Sequence, residues 1–210
     1  MVVPHSLLNL RFAAATVLAC IALTGCGKTD AVKAEAFKAI DITGAPYAQQ
    51  LELPDTEGKP RTLADFKGKV TVVFFGFTQC PDVCPTTLLE LAQAKKALGP
   101  NGDRVQGVFV TVDPERDTPE VLKAYVDNFA SGIVALRGTT AETAAAAKGF
   151  KVYYAKVPGE AAGSYTMDHT AGSYVFDAKG KVRLFTRYGT GAGVGDLVHD
   201  LKILLAEPAA

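Results

Sequence analysis

Two cysteines and one histidine are the residues of this chain best suited to metal or redox chemistry. Cys80 and Cys84 stand four positions apart in the sequence CPDVCP, which follows a long apolar run. Two sulfurs at this spacing can form a disulfide, attack one, or bind a soft metal ion. His169, far along the chain, stands immediately before a predicted C-terminal hairpin. The functional question is which of these chemistries the three residues support.

The segments around the cysteines predict a strand followed by a helix. Residues 70–77 are apolar, β-branched and aromatic, which is typical of a strand buried on both faces. Proline is tolerated only in the first helical turn, so Pro85 predicts a helix that begins near Asp82 or Val83, with Asp82 as its N-cap, and runs to Leu98. A thiolate beside a helix N-terminus is stabilised, and its pKa falls.

The whole chain predicts an α/β fold of thioredoxin-like type, with a central mixed sheet and helices on both faces. Its elements follow in the order β-α-β-α with a β-β-α ending. Beyond the segments above they are a hairpin at 51–59, strands at 105–112 and 133–136, helices at 120–129 and 141–148, a hairpin of 173–176 with 182–186, and a C-terminal helix with an apolar face from 194 to 205. In such a sheet the segment before the C-terminal hairpin lies next to the reactive-cysteine loop, so His169 is expected beside both cysteines.

Two thiolates and an imidazole favour copper over other metals. Structural zinc sites are nearly always four-coordinate, and iron–sulfur clusters generally need four cysteines. Thiolates suit Cu(I), and the histidine also accommodates Cu(II). Met167 shares a face with His169 on an extended segment, but packing is its expected role. His199 lies opposite the leucine stripe of the last helix, where we expect it to be solvated.

The N-terminus has the pattern of an export signal. Residues 12–25 are uncharged and apolar, follow Arg11, and are too short to span a bilayer. Together with Cys26 they end in the sequence LTGC (23–26), which resembles the lipobox of bacterial lipoproteins. In those proteins the signal is cut before the cysteine and the cysteine carries the lipid, so Cys26 is the expected lipidation site.

This reading divides the chain into three parts. They are a signal peptide (1–25), a lipidated cysteine with a tether (26–45), and a thioredoxin-like domain (46–207). Cys20 would leave with the signal, and Cys80 and Cys84 would remain as the thiols of the domain. The chain has 22 basic and 22 acidic residues, and this balance argues against a nucleic-acid partner.

Three sequence blocks together resemble the signature of the Sco/SenC copper proteins. The blocks are CPDVCP at 80–85, VDPERDTP at 112–119 and DHT at 168–170, and the resemblance covers about 51 to 204. It implies a membrane-anchored domain that faces the periplasm or the mitochondrial intermembrane space. Such a domain binds one copper, as Cu(I) or Cu(II), and helps to mature the dinuclear copper centre of cytochrome c oxidase subunit II.

The resemblance also assigns residues. The implied copper ligands are Cys80, Cys84 and His169, and the two cysteines form the redox disulfide. Asp113, at the end of the second core strand, is expected to influence the site as an acidic group. Its alternative role is a loop-forming Asp-Pro, with Asp117 or Thr118 capping the next helix.

We therefore expect a copper metallochaperone rather than an enzyme. It would be anchored by its lipid to the inner membrane and face the periplasm, with cytochrome c oxidase subunit II or a similar copper acceptor as its partner. A copper donor and a thiol reductant would act upstream. The alternative is a thiol–disulfide oxidoreductase that reduces the cysteines of that subunit before metallation. It needs both cysteines but not His169, and oxidoreductases of this fold place a cis-proline where His169 stands. A thiol peroxidase is a third possibility.

Overall fold

The computed structural model describes residues 36–129, 132–187 and 193–208. In chain order, the strands of these residues are β1 (Ile40–Asp41), β2 (Glu52–Pro54), β3 (Pro60–Thr62), β4 (Val70–Gly76), β5 (Val105–Thr111), β6 (Val134–Leu136), β7 (Tyr154–Pro158), β8 (Tyr165–His169), β9 (Gly172–Phe176) and β10 (Val182–Arg187). The helices are α1 (Val83–Ala97), α2 (Pro119–Asp127), α3 (Thr140–Phe150) and α4 (Val194–Ala206). Short 3₁₀ turns follow β3 at Leu63–Phe66 and α1 at Gly99–Arg104.

Six strands form the central sheet in the order β1-β10-β9-β4-β5-β6. Strands β4, β5 and β6 run parallel, while β9, β10 and β1 add antiparallel pairs on the other side of β4. All seven residues of β4 are buried, because neighbours flank this strand and helices cover both faces. Two smaller hairpins, β2–β3 and β7–β8, lie outside this sheet.

Helices cover both faces of the sheet. Apolar residues of α1 and α4 pack together against one face, where the buried residues are Val70, Val72, Leu91, Ala94, Leu98, Val105, Val175, Leu184, Leu197, Leu201, Leu204 and Leu205. Residues of α2 and α3 belong to the second core cluster, with Leu122, Val126, Ala147 and Phe150 buried among the aromatic side chains of the sheet. The predicted three-layer, thioredoxin-like arrangement is therefore confirmed.

The hairpin β7–β8 was not anticipated from the sequence. Three of the five residues of β7 are exposed and two are half-buried, so this strand has neither an apolar run nor a clear alternation. The hairpin matters for the site because its second strand ends at His169.

The sheet also begins earlier than expected. Strand β1 lies within the segment assigned to the tether and pairs with β10. Just before it, the backbone N–H groups of Lys38 and Ala39 donate to the two carboxylate oxygens of Asp200 on α4, each at 2.8 Å. Residues from 36 onward thus pack on the domain that was expected to begin at residue 46.

His199 differs from its expectation for the same reason. Its side chain is only 22% exposed, and Nε2 lies 3.1 Å from the carbonyl oxygen of Ala36. The N-terminal segment covers the helix face that the α4 pattern alone leaves to solvent, so the prediction of a solvated histidine is wrong.

The predicted signal peptide, with Cys20, and the predicted lipidation site Cys26 lie outside the described residues. Among the residues that are described, no helix combines the length and the apolar character needed to cross a membrane.

Candidate metal centre

Three potential metal ligands meet at the carboxyl end of β4. One donor atom each from Cys80, Cys84 and His169 lies within 4.8 Å of the others, and in the described ranges this is the one cluster of three or more such residues. Cys84 is buried, whereas Cys80 and His169 are half-buried. Both cysteines are free thiols. The structure therefore brings together the three residues that the sequence singled out.

The turn from β4 into α1 positions both sulfurs. Helix α1 begins at Val83 with Asp82 at its N-cap, as Pro85 predicts, but the Asp82 side chain makes no capping hydrogen bond. Instead, the backbone N–H of Cys84 points at Cys80 Sγ, at 3.4 Å. A helix N-terminus leaves N–H groups without intrahelical partners, and here a sulfur accepts from one of them.

Gly76 makes room for the buried sulfur. A Cβ atom at this position would lie 2.6 Å from Cys84 Sγ and 2.9 Å from ring atoms of both Phe74 and Phe109. The last residue of β4 must therefore lack a side chain if Cys84 is to pack directly against the strand. An isolated glycine in a strand signals such a close approach, and this signal is visible in the apolar run at 70–77.

His169 is oriented on both sides of its ring. Nε2 lies 3.5 Å from Cys84 Sγ, and Nδ1 lies 3.2 Å from the carbonyl oxygen of Thr170. With a metal bound at Nε2, a proton on Nδ1 would donate to this carbonyl and leave the lone pair of Nε2 for the ion. The rings of Phe74 and Phe77 meet the imidazole edge-to-face at 5.9 and 5.8 Å. Backbone and aromatic contacts together hold Nε2 toward the cysteines.

The two thiols have opposite acid–base properties. The hydrogen bond from the Cys84 thiol, with smaller contributions from His169 and backbone N–H groups, outweighs burial and lowers the pKa of Cys80 to about 3. The pKa of Cys84 is raised, first by its hydrogen bond to Cys80 and then by burial. Near neutral pH the pair thus holds one proton, with the thiolate on Cys80. Metal binding would displace the proton of Cys84.

Asp113 contacts the site through strand β8. It is 1% exposed, accepts a hydrogen bond from the hydroxyl group of Tyr165 at 2.9 Å, and pairs with the guanidinium of Arg116. Thr118 caps α2 by accepting from the N–H of Val121 at 3.3 Å, which was one of the two alternatives for this loop. The expected influence of Asp113 on copper stays a prediction.

Asp117, the other candidate cap for α2, is instead a second buried acid. Its carboxylate accepts from the hydroxyl groups of Thr78 and Thr111, both at 2.6 Å, and from the N–H of Thr78. Burial raises the pKa of Asp117, and its charge in turn adds to the raised pKa of Cys84. Because Thr78 lies between β4 and Cys80, this network fixes the start of the cysteine loop.

Met167 has the expected packing role. Its side chain is 6% exposed and belongs to the core cluster that contains Cys84. It lies on the same face of β8 as His169, as the extended segment predicts.

The donor set fits copper. Metal bonds to sulfur and imidazole nitrogen are roughly 2.0–2.3 Å long in protein sites, so donors up to 4.8 Å apart need only a small inward movement to share one ion. Two sulfurs and one nitrogen are ligands that copper favours. Structural zinc sites nearly always have four ligands, whereas in the described part of the chain no fourth His, Cys, Asp or Glu joins these three residues.

Comparison with known proteins identifies relatives over most of the chain. The SCO1/SenC family model matches residues 41–205. The mouse mitochondrial SCO2 homologue is 40% identical over 153 residues, which is 71% of this chain and 59% of the relative. The chain thus spans less than two thirds of that relative's length.

Solved structures of Sco proteins are also similar to this chain over most of its length. Copper-bound ScoI from Bradyrhizobium japonicum is 40% identical, with a TM-score of 0.66 over 74% of this chain and 97% of the other. A SCO1/SenC family lipoprotein from Bacillus anthracis is 27% identical, with a TM-score of 0.66 over 80% of this chain and 99% of the other. Relatives thus include a mitochondrial protein and a bacterial lipoprotein.

Proposed function

The chain belongs to the SCO1/SenC family, and we propose that it is a copper metallochaperone with Cys80, Cys84 and His169 as ligands of one copper ion. The observation that carries the proposal is the convergence of these three donors, from one loop, one helix and one distant hairpin, within 4.8 Å. The copper-bound relative from Bradyrhizobium japonicum supports the choice of metal. Copper is here the cargo, which the protein receives and hands on.

The arrangement of the ligands suggests how the ion enters and leaves. Cys80 is half-exposed and carries the thiolate, so it is the natural first contact for an incoming ion. Cys84 then loses its proton and His169 completes the ligand set. An acceptor can remove the ion by ligand exchange from the exposed side, with no change in copper valence.

The redox state of the cysteines controls whether copper can bind. Joining Cys80 and Cys84 in a disulfide releases the one proton that the pair holds, passes two electrons to an oxidant, and leaves no thiolate to hold the ion. An exported protein faces an environment that favours disulfides. A copper donor and a thiol reductant are therefore proposed upstream, and cytochrome c oxidase subunit II or a similar copper centre is proposed as the acceptor.

A copper titration of the purified, reduced protein tests the proposal. We expect one copper per chain, loss of binding in Cys80→Ser and Cys84→Ser, and weaker binding in His169→Ala. His199→Ala is the matched control, since His199 contacts the N-terminal segment instead of the site. In cells, loss of the protein should lower oxidase activity, and added copper should restore it. Copper binding that survives both cysteine substitutions would refute the proposal.

A thiol–disulfide oxidoreductase is the second candidate, and one observation favours it. A half-exposed thiolate at Cys80 beside a buried thiol at Cys84 is the arrangement of an attacking and a resolving cysteine. In this role the protein would reduce the cysteines of the oxidase subunit before metallation. A peptide that carries the disulfide of the oxidase subunit tests this role. If the His169→Ala variant reduces this peptide at the wild-type rate, and cells that carry the variant assemble the oxidase normally, the oxidoreductase is favoured over the chaperone.

We further propose that the chain is exported and held by a lipid on Cys26 at the inner membrane, with its domain in the periplasm. The apolar run before Cys26 supports this, and so does the lipoprotein among its relatives. Cys26→Ser should move the protein from the membrane to the soluble fraction and abolish incorporation of labelled fatty acid. Cys20→Ser, within the predicted signal, should change neither. Membrane retention and labelling of Cys26→Ser would contradict the anchor.

A further inference from the structure

The hairpin that carries His169 needs an anchor of its own. Strands β7 and β8 pair with each other and lie outside the six-stranded sheet. At its carboxyl end β8 continues through Thr170 into β9, which is paired with β4. The amino end of β8, at Tyr165, lacks such a covalent link to the sheet. The position of the imidazole relative to the cysteines depends on what fixes that end.

Arg116 joins the amino end of β8 to the cysteine loop. Its guanidinium donates to the carbonyl oxygen of Tyr165 at 2.7 Å and to Gln79 Oε1 at 3.1 Å, next to Cys80 in sequence. It also pairs with Asp113, which in turn accepts the Tyr165 hydroxyl. One side chain therefore links the segments that supply two of the three donors.

Stacking strengthens this link. The guanidinium carbon lies 3.7 Å from the centre of the Tyr165 ring and 5.9 Å from that of Phe77. The Nζ atom of Lys156 on β7 lies 4.7 Å from the centre of the same Tyr165 ring. The same atom lies 2.7 Å from Oε2 of Glu115. A planar guanidinium can stack and donate along several directions at once, whereas a lysine ammonium cannot reproduce this geometry.

We propose that Arg116 is a positioning residue for copper: it holds the β7–β8 hairpin against the cysteine loop and thereby sets the place of His169 in the site. The inference rests on the proposed copper function. Arg116 acts through His169, so its loss should affect the imidazole's contribution and leave the two thiols able to bind. Groups that orient a metal ligand typically contribute 10- to 100-fold to affinity.

Arg116→Lys tests the proposal because it keeps the positive charge but removes the planar guanidinium with its several N–H donors. We expect copper affinity to fall roughly 10-fold or more and the Cu(II) absorption spectrum to shift toward that of His169→Ala. Arg183→Lys is the matched control: Arg183 on β10 is also half-buried and paired with carboxylates, of Asp177 and Glu207, so it should alter stability without altering copper affinity. Wild-type affinity and spectrum in Arg116→Lys would overturn the proposal.

A double substitution separates positioning from general destabilisation. If Arg116 acts through His169, Arg116→Lys should have no further effect on copper affinity in a His169→Ala background. Additive losses in the double variant would overturn the proposal. Should Arg116→Lys fold poorly, Tyr165→Leu removes the stacking partner at a half-buried position, and the same outcomes apply to it.

Hydrogen exchange on the copper-free protein supplies a readout independent of the metal. In Arg116→Lys the amides of β7 and β8 should exchange faster than in the wild type, while those of β4 and β5 keep their protection. Unchanged exchange in the hairpin would overturn the anchoring role. If the wild-type protein bound no copper, the proposed function would fail, and this experiment would still decide whether Arg116 holds the hairpin.

Discussion

The chemistry of the site depends on two sulfur atoms with different surroundings. Cys80 Sγ is half-exposed and accepts hydrogen bonds, which lowers its pKa, while Cys84 Sγ lies buried against Gly76 and keeps its proton. Cys80 is thus accessible to an incoming ion or disulfide, while Cys84 lies buried behind it. His169 adds a nitrogen donor that a simple dithiol site lacks, and this favours metal transfer over disulfide exchange.

Gly76→Ala tests the packing of the buried sulfur. The added methyl group would lie 2.6 Å from Cys84 Sγ and 2.9 Å from the Phe74 and Phe109 rings, so the sulfur and the rings must shift. We expect the free energy of unfolding to fall by about 1–3 kcal/mol and copper binding to weaken. Chemical denaturation and a copper titration measure both effects.

Gly149→Ala is the matched control for this substitution. Gly149 lies in α3, where an added Cβ meets nothing within 4 Å, so alanine should be neutral or stabilise by about 0.5–1 kcal/mol. If Gly76→Ala were as stable as the wild type and bound copper equally well, the close packing of Cys84 against the strand would not be needed for stability or for copper binding.

At the scale of elements, the sequence predicts what burial and local chemistry impose. The cysteine turn is predictable because apolar runs indicate the strands β4 and β5 and Pro85 restricts the start of α1. His169 is predictable because its imidazole is a potential metal ligand. The β7–β8 hairpin escaped prediction because its mostly exposed strand has no apolar pattern. Arg116 escaped because its partners Gln79 and Tyr165 come from segments that only the fold brings together.

The short strand β1 is another element that depends on tertiary contacts. Two residues cannot form a strand alone, and Asp200 holds the chain just before them through two backbone N–H groups at 2.8 Å. In Asp200→Asn, one N–H would face an amide NH₂ instead of an oxygen. We expect a loss of about 1–3 kcal/mol in unfolding free energy and faster amide exchange at residues 38–41.

Asp196→Asn is the control for the Asp200 substitution. Asp196 lies in the first turn of the same helix, where removing a charge costs only about 0.3–1 kcal/mol. Equal stability of the Asp200 and Asp196 variants would show that the N-terminal segment is held by other contacts.

At the scale of the whole molecule, the described residues gather three potential metal ligands at one small site, and the full chain has no net charge. The sheet and its helices bury Cys84 from behind and leave Cys80 and His169 half-buried, so the proposed ligand exchange with an acceptor would take place on one side. The 22 basic and 22 acidic residues give no net charge to steer a partner over long distances. A membrane anchor at Cys26, as proposed, would instead keep the protein close to a membrane-bound acceptor.

X-ray absorption spectroscopy of the copper-loaded, reduced protein tests the central claim most directly, because it counts the atoms bonded to the metal. We predict two sulfur ligands and one imidazole nitrogen in the wild type and in His199→Ala. The imidazole signal should disappear in His169→Ala while both sulfurs remain. A wild-type site without imidazole, or an imidazole signal that persists in His169→Ala, would contradict the account.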